Sequence, residues 1–194
     1  IDILVFDMQD IGVRYYTYAS TLTLVMESAA ENGIPFIILD RVNPLGSEVA
    51  GPLLEIEYSS FVGMHPIPVR HGMTLGELAQ MINREGWLTN GVIADLKVIA
   101  YKGKIDKNVK AHAFNTPPSP NMQNVETAWL YQGLCLLEGT NLSEGRGTDL
   151  PFKLIGAPWL DNQKLFDQLV KNKHPLDNFE ITQFTPQSIP AEKY

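Results

Sequence analysis

A glycine-rich loop holds the densest group of chemically versatile side chains in the sequence. It covers Glu138–Thr148 and places two carboxylates, an arginine, an amide and three hydroxyl groups among three glycines. Glycine lets a backbone turn sharply and approach a ligand closely. Glu138 and Glu144 could serve in acid–base work, and Arg146 could receive an anion. The competing interpretation is a polar surface turn without a function.

A second polar group covers Asp7–Tyr18, directly after the first predicted strand. It contains two acids, an amide, an arginine and three tyrosines. Tyrosine rings with polar tips are suited to stacking on a sugar and to hydrogen-bonding its hydroxyls. Alternatively, Asp10 forms a turn and the tyrosines belong to the core.

Two shorter segments could have either a structural or a functional role. Asp40–Pro44 is either a local ion pair with an Asx turn or part of a site. In Arg70-His71-Gly72, His71 is either an acid–base group or a structural neighbour of a helix cap. The histidines at 65, 71, 112 and 174 show no metal-ligand spacing, so we predict no metal. A divalent cation held by Asp7, Asp40 and Glu138 is the weaker alternative.

Several motifs are absent from the sequence. Neither G-x-G-x-x-G nor G-x-x-x-x-G-K-[ST] occurs, which excludes the usual dinucleotide and P-loop sites, and no cofactor is predicted. The G-x-S-x-G elbow of α/β-hydrolases is also missing. The remaining carboxylates, amides, tyrosines and arginines suit glycosidic cleavage, which needs one protonated carboxyl and either a nucleophile or a base.

Composition narrows the class of protein. With 194 residues, 44% of them hydrophobic and 19% charged, the chain is typical of a soluble globular protein. A net charge of −7 argues against a nucleic-acid or anionic-membrane partner. No apolar stretch approaches the roughly 20 residues of a membrane span. The single cysteine, Cys135, excludes an internal disulfide.

Apolar runs alternate with amphipathic segments along the chain, which predicts strands alternating with helices. The predicted strands are Ile1–Asp7, Phe36–Asp40, Leu96–Tyr101 and Leu134–Leu137. The predicted helices are Thr17–Asn32, Leu75–Arg84, Val125–Gln132 and Asp161–Lys171. The strands are continuously apolar, so we expect both of their faces to be covered in an α/β, doubly wound parallel sheet.

Acidic residues stand where three of these strands end. Ligands of such sheets bind beyond the carboxyl ends of the strands. We therefore expect Asp7, Asp40 and Glu138 to line one edge of the sheet.

Five ordered motifs together resemble the NamZ-type exo-β-N-acetylmuramidases, a family formerly known only as a bacterial domain of unknown function. The resemblance extends from Ile1 to Trp159, and the motifs are Phe6–Tyr18, Asp40–Pro44, Pro66–Thr74, Pro117–Met122 and Glu138–Thr148. It implies a Rossmann-like domain followed by a smaller auxiliary domain. It also implies release of N-acetylmuramic acid from the non-reducing end of peptidoglycan fragments by an exported protein, with muramic-acid-containing glycans as partners.

Two family features have no counterpart in the sequence. The first is an N-terminal segment with a Gly-Pro-Glu-His-Gly motif, whose glutamate is the favoured catalytic carboxylate of the family. The second is the later part of the auxiliary domain. We therefore expect an incomplete enzyme, with residues 1–155 forming a Rossmann-like domain without its N-terminal part and residues 156–194 forming a hinge and the start of the auxiliary domain.

The resemblance assigns expected roles to the polar side chains. Candidates for catalysis are Glu144, Glu138, Asp10 and His71. The lactyl carboxylate of muramic acid requires a cation or a helix N-terminus. Among the candidate cations, Arg146 is preferred over Arg14 and Arg70 because glycines flank it. The residues expected to bind substrate are Asp7, Gln9, Arg14, Tyr16, Tyr18, Asp40, Arg41, Asn43, Arg70, Asn121, Asn141, Arg146 and Thr148.

Two other functions fit the same residues. A non-catalytic module that binds cell-wall glycans would use the same tyrosines and amides without turnover. A metal-dependent phosphoesterase would rest on Asp7, Asp40 and His71.

Overall fold

A computed structural model describes residues 1–102, 114–173 and 179–187 of the chain. The chain divides into two compact units, Ile1–Trp129 and Leu130–Tyr194, which we call unit 1 and unit 2. This division falls earlier than the boundary expected from the sequence between residues 155 and 156. No helix among the described residues combines the length and the apolar character needed to cross a membrane.

Unit 1 is built on a parallel sheet with the strand order β1-β2-β5. Its elements in chain order are β1 (Leu4–Phe6), α1 (Tyr18–Glu31), β2 (Phe36–Leu39), β3 (Ala50–Leu53), β4 (Pro68–Arg70), α2 (Leu75–Glu85) and β5 (Leu96–Ile99). Phe36 pairs with Leu4 on one side and with Leu96 on the other. This sheet with its helices confirms the predicted α/β class. The antiparallel pair of β3 and β4 lies inside the long connection after β2.

The core of unit 1 forms where α1 and α2 pack against the sheet. Leu22 and Met26 of α1 are fully buried, as is Leu78 of α2. They meet Phe36 and Ile38, the two residues of β2 that point to the same face. Burying side chains of this size stabilises a fold by about 1.5–3 kcal/mol each.

The opposite face of the sheet is less covered than the sequence predicted. Val5 is 55% exposed, Leu39 40% and Ile99 41%, while their strand neighbours are buried or half-buried. The expectation that both faces of these strands are covered is therefore wrong for this chain. The physical reason is that α1 and α2 contribute to one shared core cluster, on one side of the strands.

The structure departs from the prediction near the start of unit 2. Helix α3 covers Val125–Leu134, so it begins in unit 1, and it passes into a short 3-10 turn, Cys135–Gly139, in unit 2. The predicted strand Leu134–Leu137 is therefore wrong, because a short apolar run has the same appearance in a strand and in a helix end. Glu138 consequently lies in the 3-10 turn and does not follow a strand. Helix α4 covers Asn162–Lys171, and the Asp161 side chain accepts a hydrogen bond from the Lys164 N–H at 2.9 Å.

Candidate functional site

An open cleft of about 760 Å³ lies at the carboxyl ends of β1 and β2 in unit 1. Its volume falls within the usual range for small-molecule sites, and it has room for a sugar. Five residues that the sequence proposed for a site line it: Asp7, Gln9, Tyr18, Asp40 and Arg41. Asp7 and Asp40, the two acids that follow strands of unit 1, therefore line the same cleft at the sheet edge, as the sequence predicted.

Asp7 and Arg41 form an ion pair across the ends of β1 and β2. Both Nε and Nη2 of Arg41 lie 2.7 Å from Asp7 Oδ1. The two side chains are 46% and 41% exposed. Ion pairs this accessible contribute only about 0–1 kcal/mol to stability, so the pair adds little to the stability of unit 1.

Asp40 connects the sheet edge to the start of α2. Its carboxylate accepts hydrogen bonds from Thr74 Oγ1 at 2.8 Å and from the Gly76 N–H at 2.9 Å. A negative charge at a helix N-terminus is favourable because of the helix dipole. A β-carbon at Gly76 would lie 2.7 Å from the Asp40 carboxyl carbon, so this approach requires glycine. Asp40 thus lines the cleft and also holds the start of α2 against the sheet edge.

Amide side chains connect the loops behind the cleft. Gln9 Nε2 donates to the carbonyl of Asp10 at 2.7 Å and to that of Val42 at 3.1 Å. Asn43 forms the predicted Asx turn, because its Oδ1 accepts from the Leu45 N–H at 2.9 Å. Its Nδ2 donates to the carbonyl of Met73, also at 2.9 Å. The loops after β1, β2 and β4 are therefore joined by side-chain hydrogen bonds.

Asp10 and His71 form a buried pair beneath this network. Asp10 Oδ2 accepts from the Gly12 N–H at 2.7 Å and lies 3.6 Å from His71 Nε2. His71 Nδ1 accepts from the Met73 N–H at 3.3 Å, which places the proton of a neutral ring on Nε2, facing the carboxylate. Within the described residues, Asp10 Oδ1 and His71 Nε2 have no hydrogen-bond partner.

This buried pair does not line the cleft. His71 is 2% exposed and Asp10 is 7% exposed. Asp10 reaches a separate small cavity of about 10 Å³, close to the smallest space that can hold a single water. The two residues proposed for catalysis in unit 1 are thus placed to position the loops around them.

Two of the three arginines proposed for the lactyl group hold backbone segments of unit 1. Arg14 Nη1 donates to the carbonyls of Pro52 at 2.9 Å and Ile67 at 2.5 Å, next to the β3–β4 pair. Arg70 is buried; it donates to the Leu45 carbonyl and lies 3.1 Å from the Glu48 carboxylate. Neither arginine is among the residues that line the cleft.

Aromatic and amide residues complete the predicted set in unit 1. Tyr18 lines the cleft and its hydroxyl donates to the carbonyl of Pro118 at 2.6 Å. Tyr16 packs edge-on against Tyr18 at 4.9 Å and is buried, which raises the pKa of its hydroxyl. Asn121 is half-buried in the turn between Ser119 and Met122.

The glycine-rich loop of unit 2 is organised around Arg146. Its Nη2 lies 2.7 Å from Glu138 Oε1 and its Nε lies 3.1 Å from Glu144 Oε1. The guanidinium also stands over the Phe152 ring at 5.0 Å. Burial lowers the pKa of Arg146, but the hydrogen bond and charge of Glu138 and the charge of Glu144 raise it on balance.

The backbone of this loop is tightly packed. A β-carbon at Gly145, whose φ is +84°, would lie 2.7 Å from the Leu150 carbonyl. Glu144 is 1% exposed, and the Thr148 hydroxyl donates to the Gly145 carbonyl at 2.7 Å. Asn141 is exposed. The loop is therefore an ordered ion-pair network, unlike the polar surface turn that its composition also allowed.

Sequence reasoning missed several residues of the cleft wall. Tyr101, Phe114 and Thr116 line it together with Pro117 and Pro118. Tyr101 follows closely after β5, so the strand-end rule that identified Asp7 and Asp40 could have found it. Phe114 carries no comparable local signal.

Acidic and histidine side chains of the described residues form no group of three or more placed to hold a metal ion. Asp7 is paired with Arg41 and Asp40 is bonded to the start of α2. The Glu138 carboxylate is paired with Arg146 in unit 2. His112 and His174 lie outside the described residues.

Two family descriptions match consecutive parts of the chain. "Exo-beta-N-acetylmuramidase NamZ, N-terminal" matches residues 1–126, and "Exo-beta-N-acetylmuramidase NamZ, C-terminal" matches residues 129–194. The division between the two matches lies close to that between unit 1 and unit 2.

The chain is also similar to individual proteins along most of its length. The chain is 48% identical over 190 residues to the peptidoglycan β-N-acetylmuramidase NamZ of Bacillus subtilis (strain 168), with 96% of this chain and 45% of that protein covered. A crystal structure of a DUF1343 family protein from Bacteroides fragilis NCTC 9343 has a TM-score of 0.80 at 43% identity, covering 97% of this chain and 48% of that one. A second such protein from the same organism has a TM-score of 0.75 at 39% identity, covering 89% and 45%. The chain thus spans about half the length of these relatives.

Proposed function

Because the chain belongs to the NamZ family of exo-β-N-acetylmuramidases, we propose that it acts in a glycoside hydrolase that releases N-acetylmuramic acid from the non-reducing end of peptidoglycan fragments. The observation that carries this proposal is the 48% identity to a named peptidoglycan β-N-acetylmuramidase. Muramic-acid-containing glycans are the proposed partners.

The geometry of unit 1 supports a sugar substrate. The cleft offers aromatic surface from Tyr18, Tyr101 and Phe114, together with polar groups from Gln9 and Asn115. Clefts that bind sugars combine such aromatic rings with hydrogen-bonding groups at fixed positions.

Glycosidic cleavage also requires one carboxyl as an acid and a second group as a nucleophile or base. Asp10 and His71 are buried behind the cleft, and Glu138 and Glu144 remain candidates in unit 2. The family resemblance gives the leading catalytic role to the glutamate of the Gly-Pro-Glu-His-Gly motif.

A pair of chromogenic substrates tests the proposal. The full-length protein that contains this chain is incubated with a chromogenic N-acetylmuramide and with the matching N-acetylglucosaminide, with the Bacillus subtilis relative as the positive control. We expect release from the muramide only. Absent release from both substrates, or equal release from both, would contradict the proposal.

A glycan-binding module without catalysis is the second candidate. One observation favours it: both carboxylates that line the cleft, Asp7 and Asp40, are already bonded to protein groups. Such a module would bind muramyl ligands saturably in calorimetry while releasing no chromophore. Turnover of the muramide would eliminate it.

We also propose that the protein is exported, since its substrate class belongs to the cell wall. Fractionation of the producing cells should recover the protein outside the cytoplasm. Recovery in the cytoplasmic fraction alone would refute this.

A further inference from the structure

Arg41 is the only positively charged side chain among the described residues that line the cleft. We propose that its guanidinium receives the lactyl carboxylate of a terminal N-acetylmuramic acid and thereby distinguishes this sugar from N-acetylglucosamine. The inference rests on the proposed function, because the lactyl group is what separates the two sugars.

The contacts of Arg41 leave one edge of its guanidinium available. Nε and Nη2 both contact a single oxygen of Asp7, at 2.7 Å. Within the described residues, Nη1 has no hydrogen-bond partner. The edge formed by Nη1 and Nη2 can therefore accept a carboxylate in the bidentate geometry that arginine favours.

The pairing with Asp7 is suited to a positioning role. Because Arg41 is 41% exposed and Asp7 is 46% exposed, the guanidinium is still partly hydrated in the absence of ligand. An arriving carboxylate replaces water on the open edge, while Asp7 keeps the side chain extended across the ends of β1 and β2. Tyr18, Tyr101 and Phe114 stand along the same cleft, where a sugar ring can stack.

The other arginines proposed from the sequence are held differently. Arg14 donates to two backbone carbonyls, and Arg70 is 6% exposed between Leu45 and Glu48. Arg146 is paired with two carboxylates inside unit 2. Its assignment stays a prediction, but the geometry of unit 1 favours Arg41.

The test compares two substrates that differ in one charge. They are a chromogenic N-acetylmuramide with a free lactyl carboxylate and its lactyl methyl ester, which keeps the shape and loses the charge. The variants are Arg41→Gln and Arg41→Lys, made in the full-length protein that contains this chain. Arg84→Gln is the matched control, because Arg84 is an exposed arginine of α2 that does not line the cleft.

We expect the wild-type protein to favour the acid over the ester in kcat/KM by about 10- to 100-fold, the effect of a charge-assisted hydrogen bond. Arg41→Gln should bring this ratio close to one, and Arg41→Lys should retain part of it. Arg84→Gln should keep the wild-type ratio. Retention of the full ratio by Arg41→Gln would overturn the inference.

Calorimetry separates this inference from the proposed function. N-acetylmuramic acid and its methyl ester are titrated into the same variants, which measures recognition without turnover. A protein that binds the acid more tightly through Arg41 but releases no chromophore would contradict the glycosidase proposal and support this inference. Equal binding of acid and ester by the wild-type protein would overturn it.

Discussion

Gly12 shows how closely the loops behind the cleft approach one another. Its φ is +80°, and a β-carbon there would lie 2.2 Å from Asn43 Oδ1. Asn43 in turn bonds to Leu45 and Met73, so a displaced Asn43 would loosen its own turn and the loop that contains Met73. One glycine therefore determines the fit of three segments.

We expect Gly12→Ala to lower the free energy of unfolding by about 2–4 kcal/mol, because it adds backbone strain and breaks buried hydrogen bonds. Gly86→Ala is the matched control: its φ is +66°, but nothing lies within 4 Å of the added carbon. That variant should cost about 1 kcal/mol, from strain alone. Urea denaturation measures both, and equal losses would contradict the packing argument.

His65 makes the stability of unit 1 depend on pH. Burial lowers the pKa of its ring to about 4, from 6.5 for an exposed histidine. The ring stacks on Trp87 at 5.1 Å, and Nε2 lies 2.9 Å from Thr23 Oγ1. The unfolded chain therefore binds a proton more readily than the folded protein between these two pH values.

The stabilisation from neutral His65 is complete above pH 6.5 and is lost as the pH falls towards 4. Between pH 7.5 and 4.5 the loss should be about 2–3 kcal/mol. Urea denaturation at both values should show this difference in the wild-type protein and a correspondingly smaller one in His65→Gln. An equal pH dependence in both proteins would show that His65 does not titrate as described.

Elements whose ends are specified by local side chains were predicted well. Helix α2 was expected over Leu75–Arg84 and covers Leu75–Glu85, because Thr74 and Gly86 cap its two ends. Helix α1 matches its prediction within one residue at each end. The run Leu134–Leu137 has no such end signals, and its apolar character alone did not distinguish a strand from a helix end.

The capping box of α2 connects this element to the cleft. Thr74 Oγ1 accepts from the Glu77 N–H at 3.1 Å and also donates to Asp40. Thr74→Ala should lower the free energy of unfolding by about 1–2 kcal/mol, since it removes the cap and one partner of Asp40. Thr74→Ser keeps the hydroxyl and should lose much less. Chemical denaturation measures the free energy of unfolding of both variants. Similar losses in Thr74→Ala and Thr74→Ser would argue against a stabilising role of the cap.

At the scale of the whole molecule, the apolar core is unevenly distributed. Within the described residues, unit 2 buries only two large hydrophobic side chains, Tyr131 and Phe152, which meet edge-on at 4.8 Å. Unit 1 buries most of the others, including Phe36, Leu22 and Ile38. Since burial of apolar surface is the main stabilising term, unit 2 should be the less stable part.

Native-state hydrogen exchange should reveal this difference. We expect amides of β2 and α1 to exchange with the free energy of global unfolding, and those of α4 to exchange several kcal/mol more readily. Exchange rates followed by mass spectrometry on the intact chain provide the measurement. Equal protection of α4 and β2 would mean that the two units unfold together.

The residues of the candidate site could be predicted only where a local sequence signal marks them. Asp7 and Asp40 were located because each directly follows a strand. Contacts across longer distances were not, such as the hydrogen bond from Tyr18 to Pro118 or the contribution of Phe114 to the cleft wall. These depend on how the chain returns to the sheet edge, which no short motif specifies.

Asp40 and Arg41 are adjacent in the chain but serve different structures. The first turns to the start of α2, and the second turns to Asp7 and the cleft. Deletion of one residue directly after Leu39 would move Arg41 into the position of Asp40 and place an arginine against the positive end of a helix. Insertion of one residue there would move Asp40 away from that helix end. A change of chain length at this point would therefore disturb the start of α2 and the cleft together.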